Sequence, residues 1–215
     1  VAHGIVGEAG IDDRPPVEAE AAFDRGDYPA GARMYREAAQ RSDDEMIAEQ
    51  ATRAAFDHTQ LREAALAADR WLEINSTSEN AHRYAGIVAL KLHRIDDAEA
   101  QFGYLLDTVY VSPAAGFLAL LPVIGDEGVA TDVMELFRRL SARHPSVGEG
   151  HYAYGSAALR ADNFAVAAKS AETAVAKAPF WNPAKMLLAR TRIATGRDEE
   201  GLAIARDLVT APDAD

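Results

Sequence analysis

The chain has no cysteine in its 215 residues. That excludes disulfides, thiolate metal sites and a cysteine nucleophile, and it fits either the cytosol or a periplasmic protein that avoids oxidation chemistry. Basic residues are in short supply, 22 Lys and Arg against 34 Asp and Glu, for a formal net charge of −12. Binding a phosphate backbone needs Lys and Arg to displace counterions, so nucleic acid is not an expected partner. Nowhere do about 18 apolar residues run together, so no transmembrane segment is expected. The longest apolar stretch, Ala114 to Ile124, is interrupted by Gly116 and Pro122. Metal and hydrolase signatures are missing too: no two histidines stand four apart, and there is no Gly-x-Ser-x-Gly or phosphate-binding lysine loop. The chain starts at Val1, not Met, without a signal peptide in view, which implies a processed or truncated end.

What is present is a repeat. Three columns of residues stay in step along the chain. The first is Ala19, Thr52, Gly86, Leu121, Gly155 and Ala189; the second is Gly31, Ala64, Ala98, Val133, Ala167 and Gly201; the third is Tyr35, Ala68, Phe102, Phe137, Ala171 and Ala205. Successive separations are 33, 34, 35, 34 and 34 residues in all three. Between columns the grammar is helix, turn, helix. Ala81, Ala85, Val88, Ala89 and Leu92 recur at helical spacing, His93-Arg94 breaks the pattern, and Ile95, Ala98, Phe102, Leu105 and Leu106 resume it. Gly26 and Gly196 suit left-handed helix ends, and Asp162-Asn163 takes the same place in the fifth unit. Linkers at Ile74–Thr77, His144–Ser146, Ala178-Pro179 and Ala211–Asp213 end one helix and cap the next. Leu118–Leu121 followed by Pro122 predicts a kink or early stop, which makes the fourth unit irregular. Residues 1–16 stand apart as an N-terminal lead-in. The array occupies residues 17–215, with units starting near residues 12, 45, 79, 114, 148 and 182.

The best-patterned stretches, Ala81–Leu106 and Tyr154–Pro179, resemble tetratricopeptide repeats, whose unit is a 34-residue helix–turn–helix. The resemblance spans roughly residues 15–213. It implies an all-α superhelical solenoid of about six units and a non-enzymatic scaffold or adaptor that binds partner peptides or domains. The large residue the family places early in each first helix is present only as Phe117, and the closing proline only as Pro145 and Pro179. A narrower likeness runs through Gly26-Asp27-Tyr28, Tyr35–Ala39, Ile47–Arg53 and Arg70-Trp71-Leu72. These residues resemble the first repeats of Gram-negative outer-membrane lipoproteins that scaffold a carboxyl-terminal processing protease. That likeness implies a periplasmic, outer-membrane-associated setting, with a periplasmic protease or cell-wall hydrolase as partner. The alternatives are a cytoplasmic adaptor, or the regulatory repeat portion of a larger enzyme.

By family analogy the first helices of successive units line a concave groove. Its residues would be Glu49, Arg53 and Phe56, then Asn80, Arg83, Ile87 and Leu90, then Leu118, then Tyr152, Ser156 and Leu159, and last Met186, Arg190 and Ile193. Arginine beside aromatic and aliphatic anchors is the composition of an interface hot spot. Arg53 and Arg83 would hold carboxylates or carbonyls of a partner, or else pair with neighbouring acids on the chain itself. The positions of a Lys/Asn clamp for acidic chaperone tails carry Pro16, Glu20, Gln50, Asn80 and Tyr84, which argues against that ligand. No catalytic residue, cofactor or metal site is expected. His82 and His151 share one place in their units and read as packing residues, and His58, His93 and His144 read as helix ends. Gly148-Glu149-Gly150 lacks the preceding strand a dinucleotide loop needs. The last helix, Glu199–Thr210, still carries Leu202, Ala203, Ala205, Leu208 and Val209. End units of a repeat array normally turn a polar face outward, so this helix is expected to meet further repeats or a second copy.

Overall fold

A computed structural model describes residues 17–210. The lead-in 1–16 and the linker Ala211–Asp213 lie outside the described residues. Among the described residues the chain is all-α, with no strand. Six helical hairpins follow one another: α1 (Val17–Asp24) and α2 (Tyr28–Arg41); α3 (Glu45–Asp57) and α4 (Leu61–Ile74); α5 (Glu79–Lys91) and α6 (Ile95–Tyr104); α7 (Pro113–Glu127) and α8 (Ala130–Arg143); α9 (Gly148–Arg160) and α10 (Phe164–Lys177); α11 (Asn182–Ala194) and α12 (Asp198–Thr210). The packing divides into two compact units, one ending at Tyr84 and the other starting at Ala85.

The columns have a direct meaning, because the first two mark where the helices of a hairpin cross. A Cβ on Gly31 would lie 3.1 Å from the Ala19 carbonyl oxygen, and one on Gly201 would lie 2.6 Å from that of Ala189. Gly155 meets Ala167 in the same way at 3.4 Å. At Gly201 even a methyl group would push the helices apart, and at Gly31 and Gly155 a larger side chain would. In the third hairpin the Phe102 ring lies against Gly86, where a Cβ would come within 2.8 Å. That member of the aromatic column packs inside its own hairpin.

The turns also repeat. A residue with left-handed backbone closes the first helix of five hairpins: Gly26 (φ 78°), Thr59 (58°), His93 (59°), Asp162 (54°) and Gly196 (77°). Caps follow the residue types: Asp27, Asp44, Ser112 and Asn163 each accept a backbone N–H of the helix they precede.

In the first unit the core is mostly alanine, with Tyr35, Ile47 and Trp71 as its bulk. The Trp71 indole N–H donates to Glu45 Oε1 at 2.7 Å, and Asn75 Nδ2 donates to Glu45 Oε2 at 2.9 Å. These bonds hold the Glu45 carboxyl below its usual range, the Trp71 bond first among the causes. Arg70 reaches the link between α2 and α3, donating to the Ser42 carbonyl at 2.9 Å and to Asp43 at 2.6 Å.

In the second unit the fourth hairpin departs from the rest. Of the kink or early stop expected at Pro122, the early stop does not occur: helix α7 runs through it to Glu127. The carbonyl that Pro122 leaves unbonded belongs to Leu118, a solvent-exposed residue, so water can satisfy it. With Leu121 and Val133 at the crossing positions, α7 and α8 scarcely touch. Helix α8 packs instead on α9 and α6. Arg139 bridges Asp96 (2.5 Å) and Glu99 (3.2 Å) of α6, and Arg143 pairs with Asp107. Before this hairpin, α6 continues into a π-helical turn, Leu105–Val109. The 35-residue spacing between the third and fourth units contains this turn, which takes up the extra residue.

Candidate protein-binding surface

The groove residues expected in the first unit form a small aromatic and ionic cluster. The Arg53 guanidinium stands 5.7 Å from the centroid of the Tyr84 ring, and Phe56 meets that ring edge-on at 5.6 Å. Arg53 also pairs with Glu49 at 2.8 Å, and Arg83 pairs with Glu79. Each arginine is thus matched by a glutamate one turn earlier on its own helix, the alternative raised for both. Such partly exposed pairs are weak, so they orient the two guanidinium groups without using up their charge. Asn80 is exposed beside them.

Ile87 and Leu90 do not face a groove. They are 7% and 0% exposed and belong to the core of the second unit, which corrects their assignment. The reason lies in the next hairpin. Leu90 fills the space beside the fourth hairpin's turn, where a Cβ on Gly128 would lie 2.7 Å from its Cδ2.

The remaining expected residues of the second unit all reach solvent. Leu118 on α7, Tyr152 on α9 and Met186 on α11 hold the same place in successive first helices, which pack in the order α7, α9, α11. Leu118, Met186 and Ile193 are 43%, 40% and 44% exposed, and Leu159 is half-buried. Tyr152 stacks edge-on against Trp181, with centroids 4.8 Å apart. Ser156 and Arg190 add polar groups along the same helices. Trp181 and its neighbour Phe180, which is 92% exposed, escaped the sequence reading. Their signal was two adjacent aromatic residues just after Pro179, where a linker would ordinarily be small and polar. The result is an apolar and aromatic strip carried by three neighbouring helices, suited to the apolar side of a peptide or helix.

The five histidines among the described residues are structural. His82 Nε2 lies 3.0 Å from the Ser76 carbonyl, and His151 Nε2 lies 3.0 Å from the Pro145 carbonyl. Each ring N–H thus donates to the carbonyl six residues earlier, in the linker between hairpins. His58 stacks on Tyr28 at 4.3 Å and on Phe23 at 4.7 Å. His93 Nδ1 meets Asp132 at 2.6 Å, and His144 Nε2 sits 2.9 Å from Asp107 Oδ1. Gly148 and Gly150 are helical, and Gly150 makes room for the Phe117 ring 2.9 Å from where its Cβ would be. Among the described residues no three His, Asp or Glu are grouped to hold a metal, and no helix is long and apolar enough to cross a membrane.

No protein-family model matches the sequence, and no curated protein matches it either. Several solved structures are similar. One is YrrB, a tetratricopeptide-repeat protein with an unusual peptide-binding site (16% identity, 85% of this chain, 95% of that one, TM-score 0.46). Another is PilW, a widely conserved type IV pilus biogenesis factor (15% identity, 93% of each chain, TM-score 0.45). A third is MamA, from residue 41 to its end, of Desulfovibrio magneticus RS-1 (15% identity, 90% of each chain, TM-score 0.36).

Proposed function

We propose that this chain is a non-enzymatic protein-binding module whose principal contact surface is the strip on α7, α9 and α11. The observation that carries this reading is the periodic exposure of Leu118, Tyr152 and Met186 at one repeated position, joined by Trp181. Isolated apolar residues on a surface need no explanation, whereas a strip repeated on three packed helices does. The partner element is an apolar or amphipathic segment. Side-chain burial supplies its affinity, and Arg190 and Ser156 give direction at the strip's edge. Arg53 and Arg83 stand on α3 and α5 and are not part of the strip, each paired with a glutamate of its own helix. We extend the proposal to a cell-envelope setting, with a periplasmic protease or cell-wall hydrolase as the partner. Its support is the lipoprotein-like run of Gly26–Arg53 and Arg70–Leu72.

The test is comparative capture from an extract of the source organism. Wild type, Leu118→Glu/Met186→Glu and Arg53→Glu/Arg83→Glu are used side by side. The expected result is a set of partners lost with the first variant and kept with the second. Equal capture by all three proteins removes the strip as the binding surface. Enrichment of cytoplasmic proteins alone rejects the envelope setting and leaves the strip standing.

A further inference from the structure

A second feature of the same unit lies away from the strip. Helices α8, α9 and α10 enclose an open cavity of about 380 Å³. On α9 it is lined by His151 and Tyr154, which at about 100° per residue fall on the other side of the helix from Tyr152, Ser156 and Leu159. The volume is within the range of small-molecule sites.

The lining side chains carry positive charge, with the Glu135 carboxylate just outside them on Arg138. They include Arg138 from α8 and Lys169 from α10, and no carboxylate. Arg138 is fixed rather than quenched. Its Nε and Nη2 donate to the two Glu135 oxygens at 2.6 and 2.7 Å, which leaves the Nη1 hydrogens unassigned. The Lys169 ammonium has no acidic partner among the described residues. Tyr154 adds a hydroxyl that burial keeps protonated, its pKa pushed further up from the ordinary tyrosine range. Ala142, Pro145 and Val166 add carbon to the lining.

We propose that this cavity binds an organic carboxylate on an apolar body, with the carboxylate on Lys169 and the free edge of Arg138 and the body against Val166. A neutral apolar ligand leaves the Lys169 ammonium unmatched, and a bare inorganic anion leaves the carbon lining wet. The carboxylate belongs either to a free organic acid or to the C-terminal residue of a polypeptide, which present the same group.

Amide NMR titrations of the full chain test the site, with 3-phenylpropionate, 3-phenylpropionamide, inorganic phosphate and a tetrapeptide ending in phenylalanine with a free carboxyl. Saturable shifts confined to α8–α10 are expected with the carboxylates alone. Lys169→Met should weaken them about fivefold or more, the scale of one charge-assisted contact. Val166→Trp, which fills the cavity from the exposed side, should abolish them with helix content unchanged. Tighter binding of the tetrapeptide identifies a chain terminus as the source, and equal or weaker binding identifies a free acid; either supports the site. The proposal is overturned if neither carboxylate saturates, if the amide or phosphate binds equally well, or if Lys169→Met binds as wild type does.

Discussion

The fourth and fifth hairpins stand side by side and are held together differently. In the fifth, Gly155 and Ala167 bring α9 and α10 into close contact, and Asp162 turns the chain with φ 54°. In the fourth, Leu121 and Val133 occupy those places, α7 is two residues longer than α9, and Gly128 turns the chain with φ −117°. The fifth hairpin is held by its own crossing. The fourth is held by its neighbours, through ion pairs to α6 and packing on α9. A repeat array can therefore carry a hairpin that would not close by itself, because nearest-neighbour interfaces supply what the hairpin lacks.

The largest expected effect comes from making the fifth hairpin resemble the fourth. Gly155→Leu places atoms where a Cβ alone is already 3.1 Å from Leu187 and Ser170, and should cost about 3 kcal/mol in urea unfolding. The reverse exchange, Leu121→Gly, should cost only about 1 kcal/mol, the helix propensity of glycine, because no close crossing depends on that residue. Equal costs would mean that the two hairpins are not held differently.

The turns give the next contrast. Gly128→Ala should cost about 2 kcal/mol, since its Cβ would lie 2.7–2.8 Å from the buried Leu90 and Val133 side chains. Thr59→Gly should stabilise by about 1 kcal/mol, because a β-branched residue at φ 58° is strained and glycine is not. Thermal melts of the two variants should move in opposite directions.

The smallest effect is electrostatic. Hydrogen bonds from Arg138 first, and then from Arg139, lower the Glu135 carboxyl to about 2. A carboxyl lowered on folding stabilises fully above its ordinary value of 4.5 and loses that contribution as the pH falls toward 2. Hydrogen exchange should show α8 losing protection over this window before α9 and α10 do. Glu135→Gln should cost about 0.5 kcal/mol at neutral pH, given its solvent screening, and nothing at pH 2. Simultaneous loss across all three helices would mean that the Glu135 pairs do not hold α8.

Much of this fold was legible because small residues at crossings and left-handed turn residues are local requirements that recur. Gly31, Gly155 and Gly201 mark crossings, and Gly26 and Gly196 mark turns, for reasons contained within one hairpin. What escaped depended on longer-range geometry. Ile87 and Leu90 follow the same helical register as groove residues, and only the fold of the fourth turn covers Leu90. The partners of Arg53 and Arg83 were readable as glutamates four residues earlier, but a sequence pattern cannot choose between those glutamates and a ligand. Pro122 announced a break that the exposed side of α7 absorbs. The Trp181–Tyr152 contact joins a linker to a helix and follows no repeat period.

The π-helical turn at Leu105–Val109 has a consequence for how such an array changes over generations. One residue inserted into a helix rotates everything beyond it by about 100°, which would turn buried faces outward in all later hairpins. Here a single widened turn of hydrogen bonds takes in the extra codon, and the helices after it keep their phase. Related genes should therefore gain or lose that codon inside the stretch encoding residues 105–109, within what looks like helix, and not in the loops where insertions are usually sought.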